Sequence, residues 1–331
     1  MSTVEKRMPQ SLVLNLVACS AIPQKSLQGR AIQHLFFDLV NEVDPDLAHV
    51  LRQDPQSRAY SLSALQGELQ VDSRSKNLRL FTAKHNTSLQ FFHQQAIAPN
   101  TPCWWRITFL DDDLFDHLIF LWKDLVNEPF QLGSSTVAIA NVIADMPHVS
   151  GETANWPGMS WASSCSYRDL YEEASAYEQD VHMQFLTPTA FEEDGSISPM
   201  PTAEAVFHPL RKCWNRYSGL AFAPNLIKNI VPLRFDIKTE TLKPERALGA
   251  IPSALFPNHP FLGVLSGCVG KVSFRIVGND PLTNKRINAL ADFARYCGIG
   301  YGAPVGMGSV RRLSGSSMKA HRSKNRSKIR L

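Results

Sequence analysis

The apolar positions of this chain alternate between a period of two and a period near 3.6, and they do so in two similar rounds. Residues 11–18 (SLVLNLVA) read as a strand. From 27 to 43, Leu27, Ala31, Ile32, Leu35, Phe36, Leu39 and Val40 recur at helical spacing. Asp44-Pro45 ends that helix, because the residue before a proline is pushed out of the helical region, and a short helix over 47–51 follows. Residues 59–65, 78–83 and 104–109 read as strands, 114–126 as an amphipathic helix and 131–144 as a closing strand. Strand, helix, strand, strand, helix, strand is the order of a ferredoxin-like split βαβ unit.

Residues 145–163 (DMPHVSGETANWPGMSWAS) mix Pro, Gly and Ser with isolated tryptophans and read as a linker. The second round follows: helix 167–177, strand 181–186, helix 204–217, strands 231–238 and 270–277, and helix 283–297. The expected class is α+β, two tandem ferredoxin-like (RRM-like) domains over 1–150 and 151–312, with a disordered basic tail over 313–331.

Composition sharpens this picture. At 331 residues with 44% apolar and 19% charged content, the chain suits two packed domains and not a wholly disordered polymer. No apolar run approaches the roughly 20 residues of a membrane helix, and the first ten residues do not resemble a signal peptide. The six cysteines at 19, 103, 165, 213, 268 and 297 are scattered, with no Cys-x-x-Cys, which favours buried reduced thiols over disulfides or zinc. A cytoplasmic protein without structural metal, cofactor or membrane partner is the simplest expectation. The net charge of +4 conceals an asymmetry: residues 311–331 hold eight Lys or Arg and no acid, leaving 26 basic against 30 acidic residues in 1–310. Such a tail is either a phosphate-seeking arm or a solubilising extension.

One short stretch stands out. Gly298-Ile299-Gly300 is followed, after five residues, by Gly306-Met307-Gly308 and then Ser309-Val310-Arg311-Arg312. Alternate glycines permit positive φ and close approach to a ligand, or they serve a tight helix-to-strand connection. The loop follows a helix, whereas dinucleotide and NTP loops precede one. Further signals occur in order along the chain: LQGRAI at 27–32, DPDLA at 44–48, YSLS at 60–63, LTPTAF at 186–191, PMP at 199–201, WNRYS at 214–218, GCVGKVSF at 267–274 and LADFA at 290–294.

Together these residues resemble the CRISPR-associated repeat-processing endoribonucleases, the sixth Cas family of the RAMP superfamily. The resemblance implies an RNA-cleaving enzyme acting on precursor CRISPR RNA. It would need no metal and would leave 2′,3′-cyclic phosphate and 5′-hydroxyl ends. CRISPR repeat RNA is the implied partner, with other Cas proteins of an effector complex as further partners. Such chemistry needs a base for the 2′-hydroxyl, an acid for the leaving 5′-oxygen and cations for the phosphorane.

In the family a histidine commonly lies on the first helix, near Gln33 or His34 here. Arg30 and His34 are i and i+4, so they share a face away from the apolar stripe. The family's second histidine position reads as Arg52, with His49 three residues earlier, and a basic residue six positions on falls at Arg58. The resemblance thus implies His34 as acid or base and Arg30, Arg52 and Arg58 around the scissile phosphate. It also implies RNA binding by Gly298, Gly300, Tyr301, Gly302, Gly306, Gly308, Arg311 and Arg312. Tyr301 either stacks on a base or packs under the loop. Arg52 in a histidine position keeps open a non-cleaving RAMP-type repeat-RNA-binding subunit. The acidic run Asp111-Asp112-Asp113 reads as a response to a helix dipole, and no metal role is assigned.

Overall fold

The strand and helix alternation folds into two sheets, each backed by helices on one face. In the computed structural model of the chain, residues 8–53, 59–67, 89–93, 95–144, 158–193, 196–242 and 265–313 are described. The expected strand at 78–83, Arg58, most of the linker and the tail beyond Leu313 lie outside the described residues.

The first sheet runs β2 (Tyr60–Leu62), β4 (Pro102–Phe109), β1 (Gln10–Ala18), β6 (Ser135–Ile143), β5 (Pro129–Leu132), with β3 (Gln66–Gly67) beside β4 and β7 (Ser163–Ser164) beside β1. The strand expected over 131–144 is a β5–β6 hairpin, because Gly133 at φ +64° turns the chain back on itself. Its helices are α1 (Arg30–Val43), α2 (Pro45–Gln53) and α3 (Asp112–Trp122). Leu12, Leu14 and Leu16 of β1 alternate inward onto Ile32, Leu35, Phe36, Leu39 and Val40 of α1, the stripe read from the sequence. Phe36 stacks on Tyr60 at 4.3 Å between ring centres and meets Trp122 edge-on. Asp111 caps α3, accepting from the N–H groups of Asp113 and Leu114, which accounts for the start of the acidic run.

The second sheet runs β11 (Ile230–Leu242), β12 (Leu265–Ile276), β8 (Asp180–Thr189), β13 (Val310–Leu313), all antiparallel. Helices α5 (Ala203–Tyr217) and α6 (Pro281–Cys297) bury Val206, Phe207, Leu210, Trp214, Ile287, Leu290 and Phe293 against Val181, Met183, Phe185, Val272 and Phe274. The helix expected at 167–177 is the six-residue α4 (Tyr167–Glu172), capped by Ser166. A small hairpin, β9 (Phe191–Glu193) and β10 (Ser196–Ser198), went unread in the sequence.

The two units are joined by polar groups as well as apolar ones. Leu186 and Trp161 pack with Val13 and Trp104 on the open face of the first sheet. Arg106 on β4, 6% exposed, donates from Nε to Ser11 Oγ at 2.7 Å and from Nη2 to the Arg295 carbonyl at 2.8 Å, and lies over the Trp161 ring. Burial lowers its pKa to about 9, so it stays cationic at neutral pH. Ser61 Oγ donates to the Tyr296 carbonyl at 3.1 Å. The last-turn carbonyls of α6, which lack intrahelical donors, are thus satisfied from the first unit. A cation at a helix C-terminus is also favoured by the helix dipole. These bonds fix where the glycine-rich loop begins.

Candidate functional site

The loop leaves α6 at Gly298 and returns into β13, with a short turn over Ala303–Val305 at its tip. Its glycines at 298, 300, 302, 306 and 308 all have φ between +68° and +92°. The side chains they lack would strike the chain itself. A Cβ on Gly300 would lie 2.3 Å from the Ala190 carbonyl oxygen, and one on Gly306 would lie 2.9 Å from the Ala64 nitrogen. The loop is bonded in place: the Tyr301 N–H donates to the Ala190 carbonyl at 2.6 Å, the Gly308 N–H to the Pro188 carbonyl at 3.1 Å, and the Gly29 N–H to the Val305 carbonyl at 3.2 Å. The close approach read from these glycines is therefore to their own protein, across both units.

Tyr301 follows the loop inward. It is 3% exposed and packs with Ala64, Phe91, Val305 and Met307, so of the two readings of its ring the packed one is occupied. Burial raises its hydroxyl well above the ordinary tyrosine range. Arg311 is half-buried, donating from Nε and Nη2 to Gln184 Oε1 at 3.2 and 2.8 Å. Arg312 is committed more deeply. Its Nη2 meets Glu178 at 2.6 Å and Asn288 Oδ1, and its Nη1 meets Asp292 at 2.8 Å. With two carboxylates on one guanidinium, Arg312 carries no net charge to offer a phosphate. The expectation of a phosphate ligand there is corrected on that ground.

At the other end of the Gly29–Val305 bond lies the start of α1. Gly29 is its N-cap, with no side-chain cap and no acidic residue in the first turn. The first helical residue is instead Arg30. It is half-buried, its Nε is buried without a partner, and burial lowers its pKa. One turn on, His34 is exposed. Arg52, exposed near the end of α2, places its guanidinium 4.7 Å from the centre of the Phe37 ring. Phe37 is three residues after His34, hence adjacent on the helix surface. Arg30, His34 and Arg52 are thereby gathered on one side of the first unit, with exposed backbone amides of a helix start beside them. His49 turns elsewhere, against Gln53 Nε2 at 2.7 Å.

Sequence reasoning missed three supports of this cluster. Tyr60 is 6% exposed beneath it; burial pushes its hydroxyl up to about 12, against the opposing influence of Gln33 and the Arg52 charge. Phe37 seats Arg52, and Arg106 anchors α6. The YSLS stretch at 60–63 contained a signal, since it supplies Tyr60, the Ser61 bond and the Ala64 approach. Among the described residues no group of three His, Cys, Asp or Glu is placed to hold a metal ion.

The sequence matches the CRISPR Cas6 N-terminal domain family over 8–172 and the CRISPR-associated endoribonuclease Cas6 family over 183–310. The chain belongs to the Cas6 endoribonuclease family. Its fold is shared with solved Cas6 structures. A Thermus thermophilus Cas6 is 21% identical, with a TM-score of 0.59, over 92% of this chain and 98% of that one. A Cas6 product complex gives 0.66 at 21% identity over 92% and 100% of the two chains. A Cas6 substrate mimic complex gives 0.60 at 17% identity over 93% and 100%. No curated protein sequence matches the chain. Both ferredoxin-like units expected from the sequence fall within this Cas6 fold. Among the described residues no helix is long and apolar enough to cross a membrane.

Proposed function

We propose that this Cas6 family member cleaves precursor CRISPR RNA within its repeats, without a metal ion, by attack of a ribose 2′-oxygen on the adjacent phosphorus. A new 2′-O–P bond forms as the P–O5′ bond breaks. The 2′-hydroxyl proton goes to a base and the leaving 5′-oxygen receives one from an acid, giving 2′,3′-cyclic phosphate and 5′-hydroxyl ends. His34 is the acid or the base, since imidazole changes charge near neutral pH. Arg30 and Arg52, with Arg58 beyond the described residues, hold the phosphate and offset the charge of the phosphorane. The uncapped amides at the start of α1 add donors of the same sign.

One observation carries this reading: the exposed His34 and the half-buried Arg30 share a face of α1 at the point where the glycine loop docks through Gly29 and Val305. RNA binding then draws on α1, on the loop held by Gly298, Gly300, Gly302, Gly306 and Gly308, and on Arg311, with Tyr301 bracing the loop from below. Domains over 1–150 and 151–312 with a basic tail over 313–331, a cytoplasmic location and other Cas proteins as partners belong to the same proposal. Product and substrate-mimic complexes of fold relatives support RNA as the ligand.

The test is repeat RNA incubated with pure protein in excess chelator. Cleavage with a cyclic phosphate on the upstream fragment is expected. A gel shift without cleavage identifies instead a repeat-RNA-binding subunit, the alternative that Arg52 in a histidine position keeps in view. Cleavage that requires added Mg²⁺ overturns the metal-free mechanism.

A further inference from the structure

The outer edge of the second sheet carries a charge pattern that the RNA chemistry does not use. β11 is 13 residues long and, among the described residues, pairs only with β12. A long free edge strand offers a row of unpaired backbone donors and acceptors, which proteins ordinarily blunt by shortening it or by covering it. Here it remains extended, and Val231 and Leu233 near its start are 40% and 42% exposed.

Beyond an irregularity between Pro232 and Arg234, the strand alternates strictly. Arg234, Asp236, Lys238 and Glu240 lie on the face away from the helices, while Phe235 and Ile237 lie on the other face, half-buried against the core. The signs along the outer face read plus, minus, plus, minus. That order is self-complementary in an antiparallel pairing with its two-fold axis at Ile237. Asp236 then faces the partner's Lys238, and Arg234 faces the partner's Glu240, each pair occurring twice. On the inner face Ile237 meets its own counterpart, and Phe235 meets the partner's Thr239, covering the apolar area left open. Sliding the strands by two residues in either direction sets like charges opposite one another, at Arg234 and Lys238 or at Asp236 and Glu240. Sliding by one residue would turn the charged face toward the core. Charge and alternation therefore select one register.

We propose that the free edge of β11 is the docking surface for a second copy of this chain, pairing antiparallel about Ile237 into a sheet that runs continuously through both copies. The association is isologous, so it closes at two. Its main-chain bonds supply adhesion, and the cross-strand ion pairs supply register.

Sedimentation equilibrium of the nucleic-acid-free protein tests this. A dimer is expected at low salt, weakening in about 1 M salt, where the Debye length falls to about 3 Å. Asp236→Lys and Lys238→Asp each turn both central pairs repulsive and should raise the dimer dissociation constant at least about tenfold. An equimolar mixture of the two variants should associate again, since Lys at 236 of one chain faces Asp at 238 of the other. The double variant D236K/K238D, which rebuilds every pair within one sequence, should dimerise like the parent and guards against a single variant that folds poorly. A parent protein that stays monomeric at low salt, single variants that dimerise undiminished, or a mixture no better than its components each overturn the proposal.

Discussion

Replacing Gly306 by Ala isolates what the glycine loop is for. At φ +92° an alanine is strained, which costs about 1–2 kcal/mol on its own. Its Cβ would also sit 2.9 Å from the Ala64 nitrogen and 3.3 Å from the Ser63 carbonyl carbon, backbone atoms that cannot rotate away. Forcing the loop and β2 apart adds an overpacking cost of about 1–3 kcal/mol, for a total of about 2–5. Gly219 provides the control. It has φ +71° with nothing within 4 Å of an added Cβ, so Gly219→Ala should show the backbone cost alone, about 1–2 kcal/mol. Urea unfolding followed by two probes measures both, the second probe serving to expose any separate unfolding of the two units. Below the transition, Gly219→Ala should bind repeat RNA like the parent. Gly306→Ala should bind more weakly, because the Val305 carbonyl that holds Gly29 at the start of α1 shifts with the loop. If the two variants unfold at the same urea concentration, the loop is not packed against Ala64 as tightly as the geometry requires; if Gly306→Ala keeps parental stability yet loses RNA, the loop's open side faces RNA and not Ala64.

Arg312→Ala leaves Asp292 and Glu178 facing each other; with the arginine side chain 14% exposed and the carboxylates 35% and 38%, the loss should be about 2 kcal/mol in urea unfolding, discounted from a fully buried pair. Its RNA affinity, measured well below the unfolding transition, should change little, and a large affinity loss with unchanged stability would return Arg312 to the RNA interface. Deleting residues 314–331 removes Lys319, Arg322, Lys324, Arg326, Lys328 and Arg330. If that arm holds RNA, the slope of log affinity against log salt should flatten by about 0.7 for each single-strand phosphate that the arm had neutralised, and an unchanged slope leaves the arm without an RNA role.

Much of the fold was legible because its determinants are local. The α1 stripe, the Asp44-Pro45 stop and the 3.6-residue rhythm of α6 are properties of neighbouring residues, and the structure follows them. The 131–144 strand was misread because alternation persists across a hairpin while Gly133 reverses the direction. The site was legible only in part. Arg30 and His34 share a face by helical geometry alone, but Arg52 joins them through Phe37, a contact set by the angle between α1 and α2. The glycines announced positive φ correctly; which surface they approach depends on Ala64 and Ala190, distant in sequence. Arg312 read as a free cation because its partners Glu178, Asn288 and Asp292 are brought to it only by the packing of α6 on the second sheet.

Whether the chemistry resides on α1 is tested most directly by single-turnover cleavage of repeat RNA by His34→Ala in excess chelator. Loss of a general acid or base predicts a rate reduced by about 10²–10⁴-fold, with RNA affinity close to the parent and the same fold by circular dichroism. Parental cleavage by His34→Ala, with the rate abolished instead in Arg52→Ala, would contradict it and move the reacting centre off the first helix.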